Sequence, residues 1–345
     1  MAKQKTNYYK EQDYIKIQKT EQILMDLPGY IRPFVQDIQL SRRQATVLAY
    51  VSDLRIFFRY LKDNNPLLKN MEIKDIPESI LENLTYVDIN DFQNHLILTG
   101  GGDNQSKTST KRRISALNKF FYFACTHGIL SHNPMTGISS ISIDNDHRIT
   151  RLSKDETKSY IKTVENGTSK NHRATEHRKK YRLRDTAIIK LLLNTGIRVS
   201  ECTGLDIDSI NFDERSMTVF RKRGKTEILY FNEEVKEALT DYIERERPKY
   251  METKDETALF LSNRKKRMDV QSIRNVVEKY AKEIETTYKV TPHLLRRTFG
   301  TGLYQATEDI KLVADVLGHS SIQTTSEHYT ENENLRKAAT INLYE

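Results

Sequence analysis

One short stretch of this 345-residue sequence favours β-structure, and it lies in the C-terminal part. The segments MTVF (217–220) and EILYF (227–231) are rich in β-branched and aromatic residues, and the turn-forming segment RKRGKT separates them. Elsewhere, apolar residues recur at spacings of three and four, as in helices that cover a core with one face. The sequence therefore predicts a mainly α protein with a small antiparallel β-sheet in its C-terminal domain.

A polar, turn-rich segment divides the helical pattern into two parts. Asn133-Pro134 ends the first part, and MTGISSISIDNDH follows with few residues that suit a core. One core rarely serves more than about 250–300 residues, which this chain exceeds. We predict a helical N-terminal domain at 1–134, a linker at 135–150 and a C-terminal domain at 151–345.

Two capping boxes predict helix starts. Ser41 and Gln44 precede a long apolar stripe, and Ser153 and Glu156 open the C-terminal domain. In such a box, the serine oxygen and the longer side chain each accept a hydrogen bond from a main-chain N–H at the helix start. We expect a helix to begin at each of these two places.

Charge and composition narrow the class of function. The chain has 55 Lys and Arg against 47 Asp and Glu, a net charge of +8 that is compatible with a polyanionic partner. Its two cysteines, Cys125 and Cys202, are too few for a disulfide scaffold or a four-cysteine zinc site. No apolar run approaches the roughly 20 residues of a membrane-spanning helix, and the polar start does not resemble a signal peptide. We expect a soluble, cytoplasmic protein without a membrane partner.

Three segments of the C-terminal half carry residues suited to chemistry on a phosphodiester. A guanidinium offers a planar fork to two phosphate oxygens, a Lys or His can protonate a leaving oxygen, and a Tyr can attack phosphorus. Taken singly, each segment is better explained by an ordinary structural or surface role, so their combination carries the prediction. The segments are TGIRVSE with Arg198, TPHLLRRTFG with His293 and Arg296, and LGHSSIQTTSEHYT with His319 and Tyr329.

In this order, the three segments resemble those of the tyrosine recombinases, the phage-integrase superfamily. The resemblance covers the C-terminal domain, and the basic helical first domain is similar in character to the core-DNA-binding domain of that family. It implies a site-specific recombinase that cleaves and rejoins duplex DNA through a 3′-phosphotyrosyl intermediate. It also implies a two-domain, C-shaped clamp on double-stranded DNA, a homo-tetramer in the synaptic complex, and neither a metal ion nor a small-molecule cofactor.

The resemblance implies that Arg198 and Arg296 grip the scissile phosphate while Tyr329 attacks it. A free tyrosine has a pKa of about 10, so its phenolate is rare at neutral pH. Positive charge from two arginines would favour the phenolate and stabilise the added charge on the phosphate oxygens.

The same resemblance implies supporting roles for the other polar residues. Lys222, in the basic hairpin, would protonate the departing 5′ oxygen, with Lys225 as the alternative. His293 and His319 would hydrogen-bond the phosphate and assist proton transfer, and Glu201 would orient the site.

Two features depart from the family pattern. Arg297 stands where a histidine is usual, and we expect this change to affect local packing more than catalysis. The spacing from His319 to Tyr329 is one residue longer than usual, which leaves the local register open and makes His328 an alternative contact.

Basic residues of the first domain are candidate DNA contacts, because phosphate binding needs many cationic side chains. The candidates are Arg42, Arg43, Lys107, Lys111, Arg112 and Arg113.

Two questions of function stay open at this point. The clear helical pattern of the first domain begins within about 40 residues of the start, which leaves little room for a separate arm-site-binding domain. In this the chain resembles Xer-type recombinases, which resolve chromosome dimers, but an integrase of a mobile element is the close alternative. A catalytically inactive DNA-binding architectural or regulatory protein would share the basic charge. Such a protein would not need the complete set of catalytic side chains.

Overall fold

A computed structural model of the chain describes residues 7–100, 104–142, 150–167, 169, 172–221, 225–253 and 256–319. The chain divides into two compact units between residues 146 and 147, within the segment predicted as a linker, whose own bounds stay a prediction. Among the described residues, no helix is both long and apolar enough to cross a membrane.

The first unit packs six helices around an aromatic core. The ring of Phe57 meets those of Phe92 and Phe121 edge-on, at centroid distances of 5.2 and 5.9 Å. All three side chains are fully buried, as the helical spacing of the apolar residues predicts. The helices are α1 (Asn7–Met25), α2 (Arg32–Ser41), α3 (Gln44–Asn64), α4 (Glu78–Glu82), α5 (Tyr86–Thr99) and α6 (Asn104–Thr126).

The second unit places its most buried helix at the centre. This helix, α9, packs against α7, α11 and α13, and Ile188, Leu191 and Leu192 on it are completely buried. The apolar run Ala187–Leu193, interrupted only by Lys190, accounts for this central position, because apolar side chains on several faces of one helix need cover from several neighbours. The helices are α7 (Lys154–Asn166), α8 (His172–Lys180), α9 (Arg182–Thr195), α10 (Val199–Thr203), α11 (Glu233–Asp241), α12 (Val270–Ala281), α13 (Pro292–Thr307) and α14 (Ile310–Leu317).

The predicted hairpin is confirmed as part of a three-stranded antiparallel sheet of order β1-β2-β3. The strands are β1 (Ile210–Asn211), β2 (Ser216–Phe220) and β3 (Thr226–Tyr230). Met217 and Val219 of β2 point into the core. Because side chains alternate along an extended chain, Arg221 lies on the same inward side. The mainly α fold class with a small sheet is therefore correct.

One of the two predicted capping boxes is wrong. Ser41 is the last residue of α2, where the N–H of Arg42 donates to the carbonyl of Ile38 at 2.8 Å, and Arg43 is the N-cap of α3. The box at Ser153 is confirmed. The N–H of Glu156 donates to Ser153 Oγ at 3.1 Å, and the N–H of Ser153 donates to the Glu156 carboxylate at 2.7 Å.

Candidate active site

The C-terminal end of α14 collects hydrogen bonds from three arginines. The last carbonyls of a helix have no partner within it and carry partial negative charge, so cationic donors stabilise them. Here the carbonyls of four successive residues, 315–318, accept bonds from guanidinium groups. We call these three arginines the arginine cluster; its members are Arg198, Arg221 and Arg296.

Arg198 reaches this helix end from the N-cap of α10. Its Nη2 donates to the carbonyl of Gly318 at 2.7 Å, and its Nη1 donates to Glu201 Oε1 at 2.8 Å. The other carboxylate oxygen of Glu201 accepts the main-chain N–H of Arg198 at 3.0 Å. Glu201 is buried and holds both the main chain and the guanidinium of Arg198; its orienting role in the reaction stays a prediction.

Arg296 reaches the same helix end from α13 and is buried. Its Nη1 donates to the carbonyl of Gly196 at 2.6 Å, and its Nη2 donates to that of Leu317. Two carbonyls from separate segments thus fix the plane of its fork. The structure brings Arg198 and Arg296 together, although about a hundred residues separate them in the sequence.

Arg221 is the member of the cluster that the sequence analysis did not assign to the site. Its Nη1 and Nη2 donate to the carbonyls of Asp315 and Val316, and Nη1 lies 2.6 Å from the carboxylate of Glu227. A signal was present in the alternation of β2, which puts this charged residue on the inward side after Met217 and Val219.

The two predicted histidines lie close to the cluster in the sequence: His293 is on α13 with Arg296, and His319 follows the end of α14. His319 directly follows Gly318, and its N–H donates to the carbonyl of Ala314 at 2.9 Å. His293 is exposed in the first turn of α13, one turn before Arg296. Arg297, next on that helix, has a buried Nε without a hydrogen-bond partner among the described residues. Within those same residues, no group of His, Cys, Asp or Glu side chains could hold a metal ion.

Two predicted site residues, Lys222 and Tyr329, lie outside the described residues, as does the alternative contact His328. The alternative acid, Lys225, is exposed, and its carbonyl accepts the N–H of Arg221 at 2.8 Å. The roles of all these side chains therefore stay predictions.

Gly196, whose carbonyl accepts a hydrogen bond from Arg296, stands at a position with no room for a side chain. Its φ is +59°, in the left-handed region, and a Cβ there would overlap the ring of Phe299 and lie 2.9 Å from Cδ2 of Leu317. We expect Gly196→Ala to cost about 1–3 kcal/mol of stability more than Gly167→Ala. Gly167 is a matched control because its φ is +61° but its Cβ would make only ordinary contacts. Urea unfolding measures both variants, and equal losses would contradict the clash.

The basic residues of the first unit differ in their surroundings. Arg42 and Arg43 are exposed between α2 and α3, and Lys107 and Lys111 lie along α6. On the same helix, Arg112 and Arg113 both approach the buried Asp53. Arg112 donates to both carboxylate oxygens, at 2.7 Å from Nη2, and the Nε of Arg113 is 3.9 Å from Oδ1. Burial raises the pKa of Asp53, and the bond from Arg112 opposes that shift.

This difference predicts distinct results for two neighbouring substitutions. Arg112→Ala is expected to lower the free energy of unfolding by about 1–3 kcal/mol, because it leaves the buried carboxylate of Asp53 without its main donor. Lys111→Ala should leave stability unchanged and reduce the salt dependence of DNA binding by about one phosphate contact. Chemical unfolding and binding at several salt concentrations measure the two effects. Equal stability losses in both variants would contradict the assignment.

Comparison with known families agrees with the fold. The Phage integrase family matches residues 150–336, and the Phage integrase, N-terminal SAM-like domain matches residues 31–128. The chain belongs to the phage integrase family and is a tyrosine-type site-specific recombinase, an enzyme that cleaves and rejoins DNA strands.

Its relatives include Xer recombinases. Tyrosine recombinase XerC of Thermodesulfovibrio yellowstonii is 31% identical over 301 residues, which cover 86% of this chain and 89% of XerC. Tyrosine recombinase XerS of Streptococcus mutans is 30% identical over 338 residues, 90% of this chain and 93% of XerS. The crystal structure of XerH site-specific recombinase bound to palindromic difH substrate, a post-cleavage complex, has a TM-score of 0.62 at 21% identity. It covers 87% of this chain and 80% of XerH, and it shows that the fold is shared.

Proposed function

We propose that this chain cleaves duplex DNA at a phosphate bound by Arg198 and Arg296 and becomes linked to it through Tyr329. The observation that carries the proposal is the meeting of Arg198 and Arg296 at the end of α14. Directly after this helix end, the chain continues into His319 and, ten residues later, Tyr329. The cations that would hold the phosphate are thus bonded to the helix end that precedes, in the sequence, the segment with the proposed nucleophile.

The arginines would act on the charge of the phosphate. Attack makes the phosphorus five-coordinate and adds negative charge to its non-bridging oxygens, which fixed guanidinium donors stabilise. A guanidinium carries five N–H donors in one plane, so the carbonyl bonds of Arg198 and Arg296 set the direction in which each fork points. No reorientation is then needed during the reaction.

The remaining groups would move protons. The phenol oxygen of Tyr329 forms a bond to phosphorus as the bond to the 5′ oxygen breaks, and the phenolic proton passes to a nearby base, with His293 and His319 as candidates. The departing 5′ oxygen takes a proton from Lys222. The phosphotyrosyl ester conserves the energy of the phosphodiester, so a second 5′ hydroxyl can reverse the step without a nucleotide cofactor.

We extend the proposal to partners and setting by the likeness to Xer recombinases. The chain would close its two units around a double-stranded recombination site, assemble as a homo-tetramer on two such sites, and act in the cytoplasm. Its role would be the resolution of chromosome dimers, with integration or excision of a mobile element as the alternative.

Covalent capture on host DNA tests this proposal and separates the two roles. Purified protein is incubated with sheared genomic DNA that carries random nicks, so that a short cleaved 5′ strand can diffuse away and the adduct persists. Covalent adducts are precipitated from detergent, and the attached DNA is sequenced. One chromosomal site of two inverted half-sites is the result expected for dimer resolution, and the ends of an element would indicate the alternative. If no DNA is recovered, while filter binding still detects a complex, the chain is an inactive DNA-binding protein and the proposal is wrong.

A further inference from the structure

Arg221 is a buried cation that joins two parts of the second unit. Its side chain is 4% exposed, follows strand β2, and reaches the carbonyls of Asp315 and Val316 at the end of α14. Its main-chain N–H donates to the carbonyl of Lys225, across the hairpin, at 2.8 Å. One residue therefore ties both strands of the hairpin to the helix that precedes His319.

The Arg221 guanidinium fills the space that a side chain at position 318 would need. Gly318 has a φ of +61°, and a Cβ on it would overlap Nη1 of Arg221. A lysine at position 221 could not replace the fork, because an ammonium is a point charge that cannot serve two carbonyls in one plane. The missing side chain of Gly318 and the planar group of Arg221 are thus complementary.

Two glutamates near the site, Glu201 and Glu227, offset the charge of Arg221. Burial lowers its pKa, while Glu201 and Glu227 oppose that shift and the neighbouring cation Arg198 adds to it. Glu201 is also the partner of Arg198, so the two arginines share one electrostatic environment.

Lys222, the lysine proposed as the general acid, directly follows Arg221 in the sequence. The contacts that hold Arg221 at the end of α14 are therefore relevant to catalysis. We propose that Arg221 is a positioning residue that holds the hairpin at the end of α14 so that the leaving 5′ oxygen can be protonated. The inference rests on the proposed function, in which a hairpin lysine is the general acid. It predicts that loss of Arg221 slows departure of the leaving group more than attack by the nucleophile.

A substrate with sulfur in place of the bridging 5′ oxygen tests this inference. A thiolate leaves without protonation, so a fault in proton delivery disappears on this substrate, whereas a fault in folding, binding or attack persists. Cleavage rates of Arg221→Met and Arg221→Lys are measured on oxygen and sulfur versions of one nicked duplex. The ratio of the two rates on one protein sample is independent of the fraction of protein that is folded.

The expected loss for Arg221→Met is about 10²-fold on the oxygen substrate and less than about tenfold on the sulfur substrate, since general acid catalysis contributes about 10²–10⁴-fold. Arg221→Lys should show the same pattern with a smaller loss. The matched control is Arg245→Met, which removes an exposed arginine paired with Asp241 and should change neither rate. Equal losses of Arg221→Met on both substrates would overturn the inference.

Lys222→Ala, measured beside these variants, keeps the two proposals apart. If sulfur restores Lys222→Ala but not Arg221→Met, Lys222 is the acid and the role inferred for Arg221 is wrong. If sulfur restores Arg221→Met but not Lys222→Ala, Arg221 positions a different acid, with Lys225 as the candidate. The assignment of Lys222 then fails while the inference stands.

Discussion

Tyr329→Phe is expected to reduce the covalent protein–DNA complex to an undetectable level while DNA affinity stays unchanged. The substitution removes one oxygen, the atom that would bond to phosphorus, and keeps the ring. A nicked duplex built on the recovered site traps the complex, because the short 5′ strand diffuses away and cannot be rejoined. Denaturing gels measure the adduct, and a mobility shift measures affinity.

The control for this experiment is Tyr304→Phe. Tyr304 lies near the end of α13 and has no role in the proposed chemistry. This variant should form the adduct at the rate of the parent chain. An undiminished adduct in Tyr329→Phe would assign the nucleophile to another residue.

The second large effect is expected for Arg296→Lys. Lysine keeps one positive charge but cannot hold the carbonyls of Gly196 and Leu317 and also present a planar fork to the phosphate. The cleavage rate should fall by about 10²–10³, the loss found when one preorganised oxyanion donor is removed, which corresponds to about 2.7–4 kcal/mol. Single-turnover cleavage of the nicked duplex at saturating protein measures this rate.

Arg267→Lys separates catalysis from architecture in that experiment. Arg267 also donates to main-chain carbonyls, those of Thr203 at 3.1 Å and Leu205 at 2.8 Å, and these carbonyls lie outside α14. It should lose stability without a comparable loss of rate. If both substitutions reduce the rate equally, the effect of Arg296→Lys is structural and the phosphate-binding role is not supported.

Local patterns predicted much of the fold. The hairpin was predicted from its β-branched and aromatic residues and from the turn residues between them. The box at Ser153 forms although the Glu156 carboxylate also accepts a hydrogen bond from the Tyr288 hydroxyl at 2.7 Å. The box at Ser41 failed because α2 continues through that serine, and this continuation depends on packing within the unit.

The arginine cluster shows where prediction from the sequence stops. The resemblance named Arg198 and Arg296, but it could not show that both donate to one helix end. Neither contact follows from local periodicity, because the partners come from three separate segments of the chain. Arg221 lies in the basic hairpin and was not assigned to the site from the sequence. The alternation of β2 indicates that it points inward, but its contacts with α14 depend on the tertiary structure.

The most direct test of this account is a structure of the Tyr329→Phe protein bound to its intact site. The account predicts one phosphate beside the C-terminal end of α14, with nitrogens of Arg198 and Arg296 about 3 Å from its non-bridging oxygens and the ring of residue 329 opposite the 5′ oxygen. A phosphate backbone that passes elsewhere, with both arginines bonded only to protein carbonyls, would contradict it.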